Sequence, residues 1–303
     1  MEKIAVVGAG MMGQGIAEVF AARGHSVALH DSKKEVLAQA HEKARANFKV
    51  FGVDESAAEN ISPYNSMEEG LRGADIVFEC AYENLEVKQN LFVEMEKYTS
   101  SDCILASNTS VMPITKIGEK VTDRRRVLGT HWWNPPYLIP LVEVVQTEFT
   151  DLKMVERCID LLNRVGKVAV HVKKDVPGFV ANRMQHALWR EAVSIVEHGI
   201  CDAETVDLCV KNSFGFRLPV LAPLENADLV GLDLTLAIHN GILAHIEALP
   251  APSPYLIDKV LKGDLGMKTG AGFYEGWTPE KAQAVRTRLS NYLLEANRKR
   301  QQK

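Results

Sequence analysis

Cysteine is sparse in this chain, and its placement excludes two architectures at once. Cys80, Cys103, Cys158, Cys201 and Cys209 are odd in number and far apart, so they suit neither a disulfide framework nor the closely paired ligands of a zinc site. Reduced, mostly buried thiols are expected, and no metal. Long apolar runs are also missing: none reaches the roughly 18 uninterrupted residues of a membrane-spanning helix. The N-terminus enters a strand-like run without the pattern of a cleavable signal, and a cytoplasmic protein with no membrane partner is expected. Basic charge is not in excess, with 35 Lys and Arg against 39 Asp and Glu. The clusters at 124–126 and 298–300 therefore read as a solvated loop and a frayed helix end, and no nucleic-acid partner is expected. Internal repeats and low-complexity linkers are absent as well. What is present is 303 residues, 46% of them hydrophobic, enough to bury a substantial core and to form two domains.

The N-terminus carries the first chemical signal. A β-branched run at 4–7 leads straight into Gly8, Gly10 and Gly13, followed by the helical spacing of Ile16, Val19 and Phe20. Strand, glycine turn and helix in this order seat a pyrophosphate. Gly8 permits the tight turn, Gly10 lets the backbone approach the phosphates, Gly13 allows close helix packing, and the helix N-terminus offers backbone donors. Met11 and Met12 lie in the same loop and are counted with it, although packing is the commoner role for a thioether there. Alone, such a glycine pattern is weakly specific. A second strand over 26–30 ends in Asp31, where a carboxylate accepts both ribose hydroxyls and repels a 2′-phosphate. Its distance after Gly13 fits the roughly 20-residue spacing of the dinucleotide fingerprint, so the predicted cofactor is NAD rather than NADP. Asp31 also suits a cap for a helix beginning near Lys33, and the two roles are compatible.

A titratable base and a carboxylate stand on two further strand-like segments. His131 and Glu143 flank a proline-punctuated turn through Pro135, Pro136 and Pro140. The alternation of Leu141, Val142, Val144 and Val145 buries Glu143 unless a proton donor faces it, and His131 is the nearest candidate by topology. An imidazole oriented by a carboxylate is a general base suited to neutral pH. A lone histidine in such a strand is more often a core group, and the rest of the chain shifts the weighting.

Strands and helices alternate to about residue 175, the signature of a largely parallel doubly wound sheet. The strands at 74–79 and 102–106 each end in polar residues where an open sheet binds its ligand: Tyr82, Glu83, Asn84 and Lys88 after the first, Ser107, Asn108, Thr109 and Ser110 after the second. A closing strand is expected over 167–172, and Pro177 with Gly178 marks a boundary. Beyond it the pattern is helical over 179–198, 203–210, 224–249 and 254–261, with a further helix from Pro279. The predicted fold is α/β, a Rossmann-type doubly wound parallel sheet over 1–176 followed by an all-helical C-terminal domain over 177–303.

Seven short motifs then combine. GAGMMG at 8–13, ENLEVK at 83–88, SNTS at 107–110, HWWNP at 131–135, LVEV at 141–144, PGFVANR at 177–183 and KTGAGFY at 268–274 stand in the order and spacing of the L-3-hydroxyacyl-CoA dehydrogenase family, which the chain resembles over nearly its whole length. The resemblance implies His131 as general base, Glu143 as its partner, and Ser110 and Asn182 beside the reacting oxygen. It also implies that Glu83, Lys88, Asn108, Ser110 and Lys268 line the nicotinamide and ribose side of the cofactor site. Trp132 and Asn134, from the histidine motif, join Ser110 and Asn182 as substrate contacts. Family members commonly pair through the second domain. A homodimer through that domain is expected here too, because Leu229, Val230, Leu232, Leu234, Leu236, Ile238, Ile242 and Leu243 exceed what one small core requires.

The implied reaction makes physical sense. Oxidising a secondary alcohol removes the hydroxyl proton as hydride leaves the same carbon, so a base must reach the oxygen while the nicotinamide lies over the carbon. The bland alternatives are Ser110 as a helix cap and Asn182 as an exposed first-turn residue. Three functions follow: an NAD-dependent 3-hydroxyacyl-CoA dehydrogenase giving the 3-oxo product; the same chemistry on a small CoA-free acid; and a non-catalytic NAD-binding structural protein, against which the intact His131 and Glu143 argue. The stretch 33–60 is compact and mixed in charge, so the CoA handle is reduced. The histidine motif is closer to branches acting on gulonate, carnitine or a hydroxymethyl or aldehyde pyridine carboxylate. Trp132, Trp133 and Tyr137 suit a ring or a quaternary ammonium, although core packing is the commoner fate of such aromatics.

Overall fold

The computed structural model describes residues 1–301. Its strands form one sheet: β1 (Ile4–Val7), β2 (Val27–His30), β3 (Ile61–Tyr64), β4 (Ile76–Glu79), β5 (Ile104–Ser107), β6 (Val127–Trp132), β7 (Leu141–Val145) and β8 (Val168–Val172). The spatial order is β3-β2-β1-β4-β5-β6-β7-β8. All neighbours run parallel except β6 and β7, which are antiparallel. The chain winds outward from β1 through β2 to β3 and then crosses back to β4. The crevice at the carboxyl ends of β1 and β4 is therefore the topological switch point, where open α/β sheets bind ligands. Strands β1, β2, β4 and β5 are buried along their whole length, as sheets covered by helices on both faces require.

The edge strand β3 was not expected. Its sequence, ISPY, carries Pro63, and a proline within an apolar run argues against a strand. At the rim of the sheet the missing amide costs no ladder bond on the open side, and β3 pairs only with β2. The helix expected after Lys33 is two pieces, Lys34–Leu37 and Ala40–Phe51, the second stopped by Gly52 at φ 70°. The expected helix over 224–249 is broken at Gly231, φ 99°, into Pro223–Val230 and Leu232–Ile242. A side chain at that φ is strained, so the glycine permits the break.

The chain divides into one unit of Met1–Asn182 with the residues from Ser290 on, and a second unit of Arg183–Leu289. The expected boundary at 176/177 precedes this division by a few residues. The end of helix Pro279–Gln301 clusters with the first unit because Asn297 donates to the Leu138 carbonyl at 2.5 Å and Arg300 to the Gly166 carbonyl at 2.8 Å. The second unit is helical. Among the described residues no single helix is long and apolar enough to cross a membrane.

Candidate active site

The antiparallel register of β6 and β7 sets His131 directly opposite Glu143. His131 Nδ1 lies 2.7 Å from Glu143 Oε2, with both side chains buried. The other carboxylate oxygen, Oε1, accepts the backbone amides of Val180 and Ala181 at 2.9 and 3.1 Å. Those amides are aimed by a turn in which the Phe179 amide donates to the Val176 carbonyl at 3.1 Å, Gly178 has φ 74° and Phe179 φ 48°. Pro177 and Gly178 at the two central positions are what a type II turn demands. Burial pushes the Glu143 carboxyl up, but the hydrogen bonds from His131, Ala181 and Val180 outweigh it and hold the carboxyl below its usual range. An ionised Glu143 can only accept, so the proton between the two groups belongs to Nδ1, and in the neutral imidazole it is Nε2 that carries the lone pair. Nε2 has no partner among the described residues. The ring is flanked by Trp133 and Phe179, with centroids 5.4 and 5.5 Å away.

His131 lines a cavity of about 440 Å³ together with Met12, Glu83, Asn108, Ser110, Trp133, Asn134 and Asn182. Asn182 Nδ2 donates to the Ser110 carbonyl at 3.0 Å, which leaves the Ser110 hydroxyl without a partner among the described residues. Asn108 Oδ1 accepts the Trp132 amide at 3.0 Å and so ties β5 to the histidine strand. Cys80 also lines the cavity, but burial and the neighbouring Glu79 charge push its thiol up, so it stays protonated and is no nucleophile.

Beneath this cavity lies a charge network centred on Glu79, which the sequence pattern did not mark as a site residue, and joining it to the expected Lys88 and Glu83. Glu79 and Lys88 form an ion pair at 2.7 Å with 0% and 1% of their side chains exposed. Glu79 also accepts the Ser107 hydroxyl at 2.6 Å and the Ala81 amide at 2.7 Å. Lys88 reaches Glu83 at 3.4 Å, and Glu83 in turn accepts from the Thr109 hydroxyl and the Ser110 amide. Lys88 therefore stands behind the cavity lining and touches Glu83, which lines it. Asn84 capping Val87 at 3.1 Å starts helix Leu85–Tyr98 and turns Lys88 inward. The available signal was a glutamate ending an apolar strand with a lysine in the first turn of the next helix.

The glycine loop fits a dinucleotide. A Cβ on Gly13 would sit 1.8 Å from the Gly8 carbonyl oxygen, and one on Gly8, φ 100°, would sit 2.8 Å from the Cys80 carbonyl. Both glycines are fixed by the chain's own packing. A Cβ on Gly10 would meet nothing within 4 Å, so the backbone there is open to close approach from outside. Helix Met11–Ala21 has no side-chain cap and no acid in its first turn, which leaves its amides to an anion. Asp31 accepts the Ala9 amide at 2.8 Å and the Lys33 amide at 2.9 Å, so it organises the loop while keeping lone pairs for a diol. It does not cap helix Lys34–Leu37.

Other expected residues are placed differently. The Trp132 ring is 2% exposed and packs against Phe20 and Phe78 at 6.1 and 5.8 Å, and the residue also lines the cavity. Tyr137 packs on Phe51 at 4.4 Å. Met11 is 74% exposed, whereas Met12 packs against the core and lines the cavity. Asn134 is exposed at the cavity. Lys268 is an exposed residue of the second unit.

The chain matches known proteins over nearly its whole length. Residues 3–176 match the family model of the 3-hydroxyacyl-CoA dehydrogenase NAD-binding domain, and 178–276 match that of its C-terminal domain. The chain is 32% identical to 5-formyl-3-hydroxy-2-methylpyridine 4-carboxylate 5-dehydrogenase of Mesorhizobium japonicum, over 98% of each chain. It is 35% identical to the human mitochondrial hydroxyacyl-coenzyme A dehydrogenase, over 91% of each. Among solved structures, one of that pyridine carboxylate dehydrogenase, described as an NAD+-dependent dismutase, superimposes with TM-score 0.90 at 32% identity, covering 98% of both chains. The (S)-3-hydroxybutyryl-CoA dehydrogenase of Ralstonia eutropha gives TM-score 0.76 at 30% identity, covering 91% of this chain and 99% of that one.

Proposed function

The chain belongs to the 3-hydroxyacyl-CoA dehydrogenase family and is an NAD-dependent dehydrogenase acting on CH–OH groups, and within that chemistry we propose that it oxidises a small hydroxy acid carrying no CoA. The observation behind this reading is the segment after β2. It is folded down as helix Ala40–Phe51, the 3-10 turn Glu55–Asn60 and β3, with Arg45 held by Glu59. The segment is compact, and one of its basic side chains, Arg45, is already paired within it. The full-length likeness to a pyridine carboxylate dehydrogenase supports the same reading.

When bound, NAD supplies the hydride acceptor. His131 Nε2 takes the substrate hydroxyl proton, and Glu143 holds the ring in that tautomer and stabilises the imidazolium. Ser110 and Asn182 contact the oxygen as it becomes a carbonyl. Glu83, positioned by Lys88, together with Asn108 and Lys268, is assigned to the cofactor side, and Asn134 to the substrate.

The acyl-CoA reading has its own support, because Lys33, Lys34, Lys43 and Lys49 are exposed and make no ion pair among the described residues. A substrate panel followed by NADH absorbance separates the two. Turnover of CoA-free hydroxy acids, with acetoacetyl-CoA and acetoacetyl-pantetheine reduced at similar kcat/KM, is the expected result. A large preference for the full CoA ester that Lys43→Ala or Lys49→Ala removes would establish the acyl-CoA enzyme instead.

The second unit is assigned to homodimer formation. Its buried apolar side chains among the described residues are Val206 and Ala282 alone, while Leu224, Leu229, Leu232 and Leu236 are 81%, 74%, 65% and 62% exposed. Symmetric pairing covers such surface. Sedimentation at micromolar concentration is expected to give a dimer, and a single species of monomer mass would refute it.

A further inference from the structure

A second cavity, of about 280 Å³, lies in the first unit on the far side of Trp132. Its wall includes Phe51, Tyr137 and Leu294, and four cationic side chains line it: Arg23, Lys167, Arg298 and Arg300. The side chains of Arg23 and Arg298 make no hydrogen bond or ion pair among the described residues, and that of Arg300 meets only the Gly166 carbonyl. Lys167 is 8% exposed. Its ammonium donates to the carbonyls of Pro136 and Ile139 and lies 5.2 Å over the Trp132 ring, with no carboxylate near it. Burial, with the Arg300 charge added, lowers it to about 7. The one acid of the wall, Glu18, is 1% exposed and turned to Gln14 and Asn47. Three exposed guanidinium groups and one buried amine thus face this cavity with no carboxylate paired to them, an arrangement that attracts an anion.

We propose that this cavity binds a small organic anion, a planar apolar body bearing one carboxylate. The body packs on the Tyr137 and Phe51 side, and the carboxylate faces the Lys167 ammonium and the planar guanidinium groups of Arg298 and Arg300. The site is not part of the family's common body. The family matches end at residue 276, whereas Leu294, Arg298 and Arg300 stand on helix Pro279–Gln301. Lys167 gives the site a route to the catalytic cavity, because the carbonyls it holds belong to the loop between β6 and β7, which also carries Trp133 and Asn134.

Titration calorimetry on the NADH-saturated enzyme tests this with benzoate as the probe, benzyl alcohol as the body without charge, and inorganic phosphate as the charge without body. Saturable benzoate binding is expected, with both controls weaker by about tenfold or more. The exposed pair Arg298→Gln with Arg300→Gln should weaken benzoate about tenfold while NADH affinity and substrate KM stay unchanged. Arg23→Gln, on a different element, should weaken it in the same direction and serves if the double variant fails to fold. No saturable benzoate binding below about 10 mM overturns the proposal. So does benzoate binding that these variants leave intact or that competes with substrate, since the probe then occupies the catalytic cavity.

Discussion

Replacing Glu143 by Gln keeps the shape of the side chain and changes what it can do with protons. In the native site Oε1 accepts two backbone amides and Oε2 accepts His131 Nδ1. A carboxamide has one acceptor oxygen and one donor nitrogen. Its oxygen must face Val180 and Ala181, because the NH₂ group there would oppose two N–H donors. The NH₂ then faces His131 and forces Nδ1 to accept, which moves the imidazole proton to Nε2, the atom that must take the substrate proton. The base is lost by tautomer rather than by displacement. A wrong tautomer of this kind in a hydrolase triad lowers kcat by about 10⁴, and about 10³ to 10⁴ here corresponds to roughly 4 to 5.5 kcal/mol of barrier. The assay is kcat against pH by NADH absorbance, with NADH affinity measured separately and expected to be unchanged. If the variant keeps kcat within about threefold and the same pH profile, Glu143 only fills space and this reasoning fails.

His131→Ala is expected to remove about 10²- to 10⁴-fold in turnover with NADH binding retained; comparable rates would dismiss His131 as the base. Because Asp31 already holds the Ala9 and Lys33 amides and would face a 2′-phosphate with like charge, kcat/KM should strongly favour NAD over NADP, and Asp31→Ala should narrow the gap and loosen the loop; equal values for the native enzyme would refute the assignment. Burial raises the Glu18 carboxyl to about 7 from 4.5 against the weaker pull of Gln14 and Asn47. A group raised on folding costs stability as pH climbs from its unfolded value through its folded one, so Glu18→Gln should stabilise by up to about 3 kcal/mol at pH 8 and by little at pH 4. Equal Tm shifts at the two pH values would show that the carboxyl is not raised. Glu143 runs the opposite way: held below its usual range, its contribution to stability is present at neutral pH and lost as pH falls through that lowered value.

The elements whose signal is local were legible in the chain. Gly8 and Gly13 declare themselves because each is forbidden a side chain by an atom only a few residues away or on the neighbouring strand. The alternation around Leu141 and Val145 announces β7, and a buried carboxylate beside a strand bearing His131 asks for a proton donor. Pro63 hid β3, since its tolerance depends on lying at the sheet edge, which no local pattern records. The dinucleotide loop, the strand and helix alternation and the candidate base with its partner are thus readable from the chain, because hydrophobic period and turn chemistry are properties of neighbouring residues. Long-range packing, by contrast, set the Trp132 ring against Phe78, buried Lys88 on Glu79, brought two backbone amides to Glu143 beside His131, and closed a second, cationic cavity with Asn297, Arg298 and Arg300. Those outcomes depend on which surfaces meet across the fold, and partners separated by tens of residues leave no periodic trace in the chain.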